Sequence, residues 1–342
     1  MSNKNHAIYK NAKVLVTGAT GFTGAILTRK LVEAGANVTA IARQSSKLDA
    51  LQDLDINWVR GEVFDPDTIK TASKGVEYIF HLAAAFREEK DTDDDYRPVH
   101  VHSTQLLAEE VIGKAEFKRF VQVSTVGVHG NIDAQRADEN YRFEPGDGYQ
   151  RTKLEGELWL KDFATENNIP FTIIRPTPIF GPGDGRLLKF FRMINKGYLP
   201  MLGKGKGVYH LIHVDDLTEI MLLAGHSPAA LSEVFIAAND DPIRIEDMGK
   251  VIAKALNKKL RIIRLPITPF FWAADICKAV CMPFGIQPPI YRRRVAFYTK
   301  DRKFDISKLN NVLGYQLRYT NETGLTETAH WYVEHGWLNS TK

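Results

Sequence analysis

The chain has 342 residues, 44% hydrophobic and 25% charged, with 45 lysines and arginines against 41 aspartates and glutamates. That mixture belongs to a folded globular protein and excludes a disordered or fibrous one, and at roughly 150 residues per domain the length holds about two domains. A formal charge of +4 with both signs interspersed gives no nucleic-acid footprint, and two cysteines exclude a disulfide framework.

In chain order, short apolar runs alternate with helical patterns. Met1–Lys13 is polar and lacks the apolar centre of a signal peptide, and no run of about 18 uncharged apolar residues follows, so a reduced, cytoplasmic, soluble protein is expected. Lys13–Thr17 reads as a buried strand closed by Gly18. Phe22–Ala34 reads as a helix with Ile26, Leu27 and Leu31 on one face and Gly35 as its stop. Strands follow at Val38–Ala42 and Ile56–Val59, then a helix opened by Asp65 and Pro66, a strand at Glu77–Leu82, a helix at His100–Lys114 and a strand at Arg119–Ser124. A long helix over Tyr149–Glu166 leads to a sixth strand, Phe171–Arg175. Strands separated by helices build βαβ units, whose right-handed crossovers make the sheet parallel. Beyond Arg175 the pattern is broken by Pro176, Pro178, Gly181, Pro182, Gly183 and Gly185. The expected fold is therefore α/β. A doubly wound parallel Rossmann sheet covers residues 1–175, with 210–237 returning to it. A smaller mixed α/β substrate lobe, 176–209 and 238–342, packs over the carboxyl ends of the strands, where such sheets bind ligands.

The first strand runs straight into Gly18-Ala19-Thr20-Gly21-Phe22-Thr23-Gly24 and then a helix. Glycines at spacing three let the backbone turn tightly and approach a pyrophosphate, which the free amides of the helix start can bind. The end of the second strand selects the cofactor. An acidic residue there would accept from the adenosine ribose and repel a 2′-phosphate; this chain has Arg43, followed by Ser46 and Lys47. A guanidinium grips a phosphate bidentately, so NADP(H) is favoured over NAD(H).

Tyr149 and Lys153 open the long helix four residues apart, which places phenol and ammonium on one face. A tyrosine titrating near pKa 10 is a poor base at neutral pH, and a fixed positive charge nearby favours its phenolate. At the tip of the fifth strand, Ser124 and Thr125 supply a hydroxyl pair that can donate to a substrate oxygen.

By these motifs, the chain resembles an extended short-chain dehydrogenase/reductase of the NAD-dependent epimerase/dehydratase superfamily. The resemblance rests on Gly18-x-x-Gly21-x-x-Gly24, His81–Ala85, Val123–Gly130, Tyr149-x-x-x-Lys153, Arg175–Asp184, Ile212–Asp216, and Phe304–Lys308 through Leu313–Tyr315. It implies that Tyr149 is the acid/base and that Lys153 lowers its pKa and holds the nicotinamide ribose. Thr125 is the match to the hydroxyl that polarises the reacting carbonyl, with Ser124 beside it. Leu82, Ala83 and Ala84 would line the cofactor, and Pro176–Ile179 would pass near the nicotinamide. The resemblance further implies a homodimer packed through the helices near His100 and Tyr149.

Departures from the wider pattern narrow the chemistry. Dehydratases of the superfamily place acidic residues after the catalytic threonine, where this chain has Val126 and Gly127. Nucleotide-sugar epimerases carry an arginine and a polar loop where this chain has Val208–Leu211, and commonly hold NAD. The stretch 266–294 is rich in aromatics and prolines and ends in Arg292–Arg294. It is similar to the 3β-hydroxysteroid and sterol-carboxylate dehydrogenase branch, and more loosely to dihydroflavonol reductases. The expected activity is hydride transfer between NADP(H) and a secondary alcohol or ketone on a bulky, apolar small molecule. A nucleotide-sugar 4-epimerase, with Arg292–Arg294 on the diphosphate, and a non-catalytic NADP-binding protein are the alternatives. Rings beside arginines also suit peripheral contact with a membrane through 266–294. No metal site is expected. His129 reads as a structural histidine, Asp215 and Asp216 as helix caps, Glu88–Asp95 as a solvated acidic loop, and Cys277 and Cys281 as buried thiols on one helix face.

Overall fold

The computed structural model describes residues 2–85, 92–203, 207–284, 288 and 302–339. Its strands come in the order β1 (Lys13–Thr17), β2 (Asn37–Ala42), β3 (Asn57–Arg60), β4 (Tyr78–His81), β5 (Arg119–Val123) and β6 (Phe171–Pro176). Four short ones follow: β7 (Ile179–Phe180), β8 (Tyr198–Leu202), β9 (Val208–Tyr209) and β10 (Ile212–His213). The last are β11 (Glu233–Ala237), β12 (Ile243–Arg244) and β13 (Arg261–Leu265). Seven of them form one parallel sheet in the order β11-β6-β5-β4-β1-β2-β3. The sheet is buried on both faces, so its central strands are continuous apolar runs such as Val14–Val16 and Tyr78–Phe80. The order reverses between β1 and β4, and that switch point opens a crevice at the strand ends.

Helix α1 (Phe22–Glu33) connects β1 to β2 and ends as the sequence predicts. Gly35 takes φ +83°, and the amides of Gly35 and Ala36 return to Val32 O and Leu31 O, which uses carbonyls the helix end leaves free. Helix α2 (Pro66–Ala72) is capped by Asp65, whose carboxylate accepts from Thr68 N–H at 2.9 Å. The next helix differs from expectation. It starts at Asp93 rather than His100, because Thr92 and Asp95 cap each other's backbone amides. It then passes through Pro98, which has no N–H to give. There α3 (Asp93–Arg97) widens into a π-helical turn over Pro98–His102, with Ser103 N–H reaching back to Pro98 O, before continuing as α4 (Ser103–Glu109). The acidic stretch ending at Asp95 is thus in part a helix start, with Asp93 paired to Arg151 at 2.6 Å; 86–91 lie outside the described residues.

The smaller lobe is built from three two-stranded sheets and the helices α6 (Leu188–Asn195), α8 (Ile245–Ala255) and α10 (Asn321–Glu334); α5 (Gly148–Glu166) and α7 (Val214–His226) flank the large sheet, and α9 is Thr268–Cys281. Strand β10 pairs with β7, not with the large sheet. The lobe has its own apolar cluster, including Phe180, Phe191, Leu199, Ile245, Met248, Leu325 and Tyr332. Helix α9 touches this core little: Ala274 is its one buried residue.

Helix α5 is fixed to β6 by an ion pair between Arg175 and Glu157, both about fully buried at 3% and 2% exposure. Arg175 also donates to Glu139 O at 2.8 Å and to His129 Nε2 at 3.2 Å, and its guanidinium lies over the Phe143 ring. Removing one partner of a buried pair strands the other charge. Glu157→Ala is therefore expected to cost about 3–5 kcal/mol in urea unfolding, with Glu157→Gln milder; an unchanged midpoint in both would contradict this packing.

Candidate active site

The end of β1 and the end of β4 meet first. Gly18 takes φ +75°, and a Cβ there would stand 2.9 Å from Ala83 N. A Cβ on Gly24 would stand 2.0 Å from Gly18 O, so the loop closes only with glycine at both positions. Gly21, the residue before α1, provides no side-chain cap. No side-chain cap therefore claims the amides of Phe22, Thr23 and Gly24 at the start of α1, next to the exposed Thr20. This cradle fits a pyrophosphate.

A chain of hydrogen bonds holds Leu82 and Ala83 against that loop. Ala83 N–H donates to Thr17 Oγ1 at 3.2 Å, and Thr17 Oγ1 lies 2.6 Å from His81 Nδ1. On the other side of the ring, His81 Nε2 lies 3.0 Å from Ser103 Oγ, which donates to Val99 O at 2.6 Å. Since Ser103 spends its proton on Val99, His81 must carry its own on Nε2 and accept from Thr17 at Nδ1. His100, in the π-helical turn, makes a parallel link: Nε2 accepts from Ala85 N–H at 3.2 Å and Nδ1 faces Thr152 Oγ1 at 2.8 Å. Burial, then the charge of Lys153, pushes His81 down to about 3; the same two causes, with His81 third, push His100 down to about 2. Both rings stay neutral at any working pH.

Lys153 is the meeting point of three elements. From α5 its ammonium donates to Val123 O at the end of β5, 3.1 Å away, and to Ala83 O beyond β4, 3.4 Å away. The side chain is buried, and burial lowers its pKa to about 8, against a smaller opposing pull from Glu157. Tyr149 stands one turn earlier, half-buried, its ring edge-on to His100 at 5.1 Å and to Tyr96 at 5.9 Å. Ser124 and Thr125 follow Val123 directly. Thr125 Oγ1 accepts from Gly127 N–H at 3.0 Å, and the buried Ser124 Oγ has no partner among the described residues. Buried Pro176 and half-buried Ile179 bound the neighbouring strand end.

Arg43, Ser46 and Lys47 lie away from this cluster, after β2 on the far side of the switch point. The parallel register sets Ala42 opposite Arg60, and Arg60 Nη1 donates to Arg43 O at 2.9 Å and Ser46 O at 3.1 Å. The sequence reading passed over Arg60, along with Thr17, Ser103 and Thr152. None carries a local motif, and only pairing across strands and helices reveals them.

These features are those of a known family. The chain belongs to the NAD dependent epimerase/dehydratase family, whose model matches residues 14–237, and is an enzyme of the extended short-chain dehydrogenase/reductase type. A putative dihydroflavonol 4-reductase of Synechocystis is 29% identical over 98% of this chain and 99% of its own length. A 3 beta-hydroxysteroid dehydrogenase/Delta 5→4-isomerase of Mycobacterium tuberculosis is 27% identical over 94% and 90%. The crystal structure of a Thermotoga maritima UDP-glucose 4-epimerase with UDP-glucose shares the fold, with a TM-score of 0.75 at 21% identity over 94% of this chain and 99% of that one.

Other sequence expectations are resolved nearby. His129 is structural, accepting from Arg175 and facing Tyr141 O at 2.9 Å. Asp215 and Asp216 are not caps. His213 caps α7, while Asp215 pairs with Lys30 of α1 at 2.6 Å and with Arg318 at 3.3 Å, and Asp216 accepts from Tyr315 Oη and the amides of Arg318 and Tyr319, so the C-terminal segment engages both. Cys277 and Cys281 are half-exposed rather than buried, with sulfurs 3.9 Å apart.

Lys153 has a consequence for stability. An unfolded lysine titrates near 10.5 and the folded one at about 8, so the folded state binds fewer protons in between. Burying the ammonium costs on the order of 3 kcal/mol below pH 8, and the cost fades as pH rises to 10.5. Relative to Lys153→Met, the wild type should gain melting temperature through that window. A difference that stays constant from pH 7 to 10.5 would show the lysine is not desolvated.

Proposed function

We propose that this chain transfers hydride between NADP(H) and a secondary alcohol or ketone carried on a bulky, largely apolar substrate. The observation that carries the reading is the placement of Lys153 at the joined ends of β4 and β5, one helical turn from Tyr149 and beside Ser124 and Thr125. Gly18, Gly21, Gly24 and the first amides of α1 would hold the pyrophosphate, and the walls at Leu82–Ala84 and Pro176–Ile179 the nicotinamide end. The bound nicotinamide supplies the hydride acceptor or donor. Tyr149 Oη gives its proton to the substrate oxygen in reduction and takes it back in oxidation, while the Lys153 ammonium balances the charge left on the phenol oxygen. Ser124 Oγ, buried without a partner, and Thr125 Oγ1 supply the hydroxyls that orient that oxygen.

NADP(H) is supported by the exposed Arg43 after β2, where no carboxylate stands, and by Arg60, which holds the Arg43–Ser46 turn closed by its carbonyls. An apolar substrate is supported by the named activities of the steroid and dihydroflavonol relatives and by the apolar 266–284 region of the lobe, which we assign, with 176–209 and the rest of 238–342, to the substrate wall. Val126 and Gly127 carry no side chain able to move a proton, which disfavours dehydration.

We also propose that α9 rests on anionic lipid. Trp272, Ile276 and Val280 recur every fourth residue at 66%, 65% and 59% exposure, and Phe284 follows at 76%. In the sequence the basic triplet Arg292–Arg294, outside the described residues, comes next. No helix among the described residues is long and apolar enough to cross a membrane. The protein should float with phosphatidylglycerol vesicles and Trp272→Asp/Ile276→Asp should not; equal flotation of both would remove this contact.

Sterol-like, flavonoid-like and UDP-sugar substrates offered with NADPH or NADH test the activity. Net loss or gain of reduced-nicotinamide absorbance is expected with the first two classes, whereas product without absorbance change from a UDP-sugar would make it an epimerase. Tyr149→Phe should lower turnover by about 100-fold or more with dinucleotide binding intact. Arg43→Ala should weaken NADPH by about tenfold, roughly 1.4 kcal/mol, and leave NADH unchanged.

A further inference from the structure

The turn between β7 and α6 crosses over the start of α1. Gly183, at φ +88°, brings the chain within contact of the Phe22 ring, and the Arg186 guanidinium then lies over that ring, 5.6 Å from its centroid. Phe22 is the first residue of α1 and one of the amides that the Gly21 cap leaves open. A cation has therefore been placed above the dinucleotide loop by the smaller lobe, from outside the glycine motif.

Its placement is specific. Asp184, 1% exposed, accepts at Oδ1 from Arg186 N at 3.0 Å and from Arg186 Nε at 2.9 Å, and Arg186 Nη2 donates to Ile179 O at 2.8 Å. Tyr332 Oη donates to Asp184 O, which fastens the turn to α10. One edge of the guanidinium is thus spent on holding it still. Asp184 Oδ2 takes no part, and among the described residues no acceptor meets Arg186 Nη1. The side chain is 59% exposed, yet tethered at two of its three nitrogens. A guanidinium preorganised in this way, with a free donor edge over the ring of the first residue of α1, is suited to an oxyanion: little side-chain freedom remains to be lost on binding.

We infer that Arg186 is a further cofactor ligand, donating from Nη1 to a pyrophosphate oxygen of the dinucleotide in addition to the α1 amides. The inference rests on the dinucleotide reading above and adds to it a residue of the smaller lobe, so that binding the cofactor draws the turn at 181–187 and the large sheet together. Because the pyrophosphate is common to both dinucleotides, Arg186 contributes equally to each, in contrast to Arg43.

Equilibrium titrations of the full chain with NADPH and with NADH, followed by nicotinamide fluorescence at several salt concentrations, test it. Wild-type protein must bind at least one of them; binding neither would overturn both the dinucleotide reading and this inference. With binding in hand, Arg186→Gln is expected to weaken each dinucleotide that binds by about tenfold, roughly 1.4 kcal/mol, and to flatten the salt dependence, in protein whose melting transition stays cooperative. Arg186→Lys should recover part of the loss. Affinities equal to wild type in Arg186→Gln would overturn the inference while leaving the dinucleotide reading intact. Loss confined to NADPH would move Arg186 to the 2′-phosphate and overturn it as well.

Discussion

The arrangement of this protein depends on one buried ammonium. Among the described residues Lys153 has no carboxylate within hydrogen-bond reach; its partners are main-chain carbonyls at the ends of two adjacent strands. An ammonium taken out of water needs acceptors, and strand ends supply them only where β4 and β5 stop at the same level and α5 crosses directly over them. The lysine therefore demands the sheet register and the helix position at once. One turn further along α5, Glu157 is held by Arg175 of β6, so the same helix is fixed to the sheet at successive turns by opposite charges.

Around that cation the neighbouring groups are neutral and fully engaged. His81 links β1, β4 and the turn before α4, and His100 links the segment after β4 to the first turn of α5. Each ring uses both nitrogens on fixed partners, and burial beside Lys153 keeps both uncharged. They hold backbone in place and have no proton to exchange. The π-helical turn that carries His100 exists because Pro98 breaks the ordinary ladder, and it aims the ring back at Ala85 and Tyr149. Against this saturation, the exceptions stand out. The Ser124 hydroxyl, the first amides of α1 and the outer edge of Arg186 retain hydrogen-bonding capacity, and all are at the carboxyl end of the sheet. Buried or preorganised polar groups without partners are costly, and a ligand that uses them repays the cost.

Two ends of the crevice present different chemical groups. The β2–β3 edge presents Arg43 on a turn closed by Arg60, while the β4–β5–α5 junction presents the phenol, ammonium and hydroxyls. The chain's family places a nicotinamide dinucleotide across such a crevice, and relatives that share the fold act on molecules as different as a nucleotide sugar and a steroid, judged by their names. The lobe has its own core here and carries α9 as an outlying apolar helix.

The α/β alternation, the glycine loop with its following helix, the Tyr149–Lys153 pair and the Ser124–Thr125 step were all legible in the sequence, because each depends on neighbours within a few residues: strand and helix periodicity, a glycine where no side chain fits, two residues one turn apart. Element ends slipped where a cap or a proline intervened, as at Thr92 and Pro98. What only the tertiary structure decided was which carbonyls receive Lys153, that Asp215 and Asp216 serve the C-terminal segment instead of capping α7, that β10 joins β7, that Arg60 closes the Arg43–Ser46 turn, and that Arg186 lies over Phe22. The reason is physical: those partners stand far apart along the chain, 30 and 70 residues for Lys153 and its two carbonyls and 103 for Asp216 and Tyr319, and hydrogen bonds and ion pairs act on distance in space, which the linear order of residues does not contain.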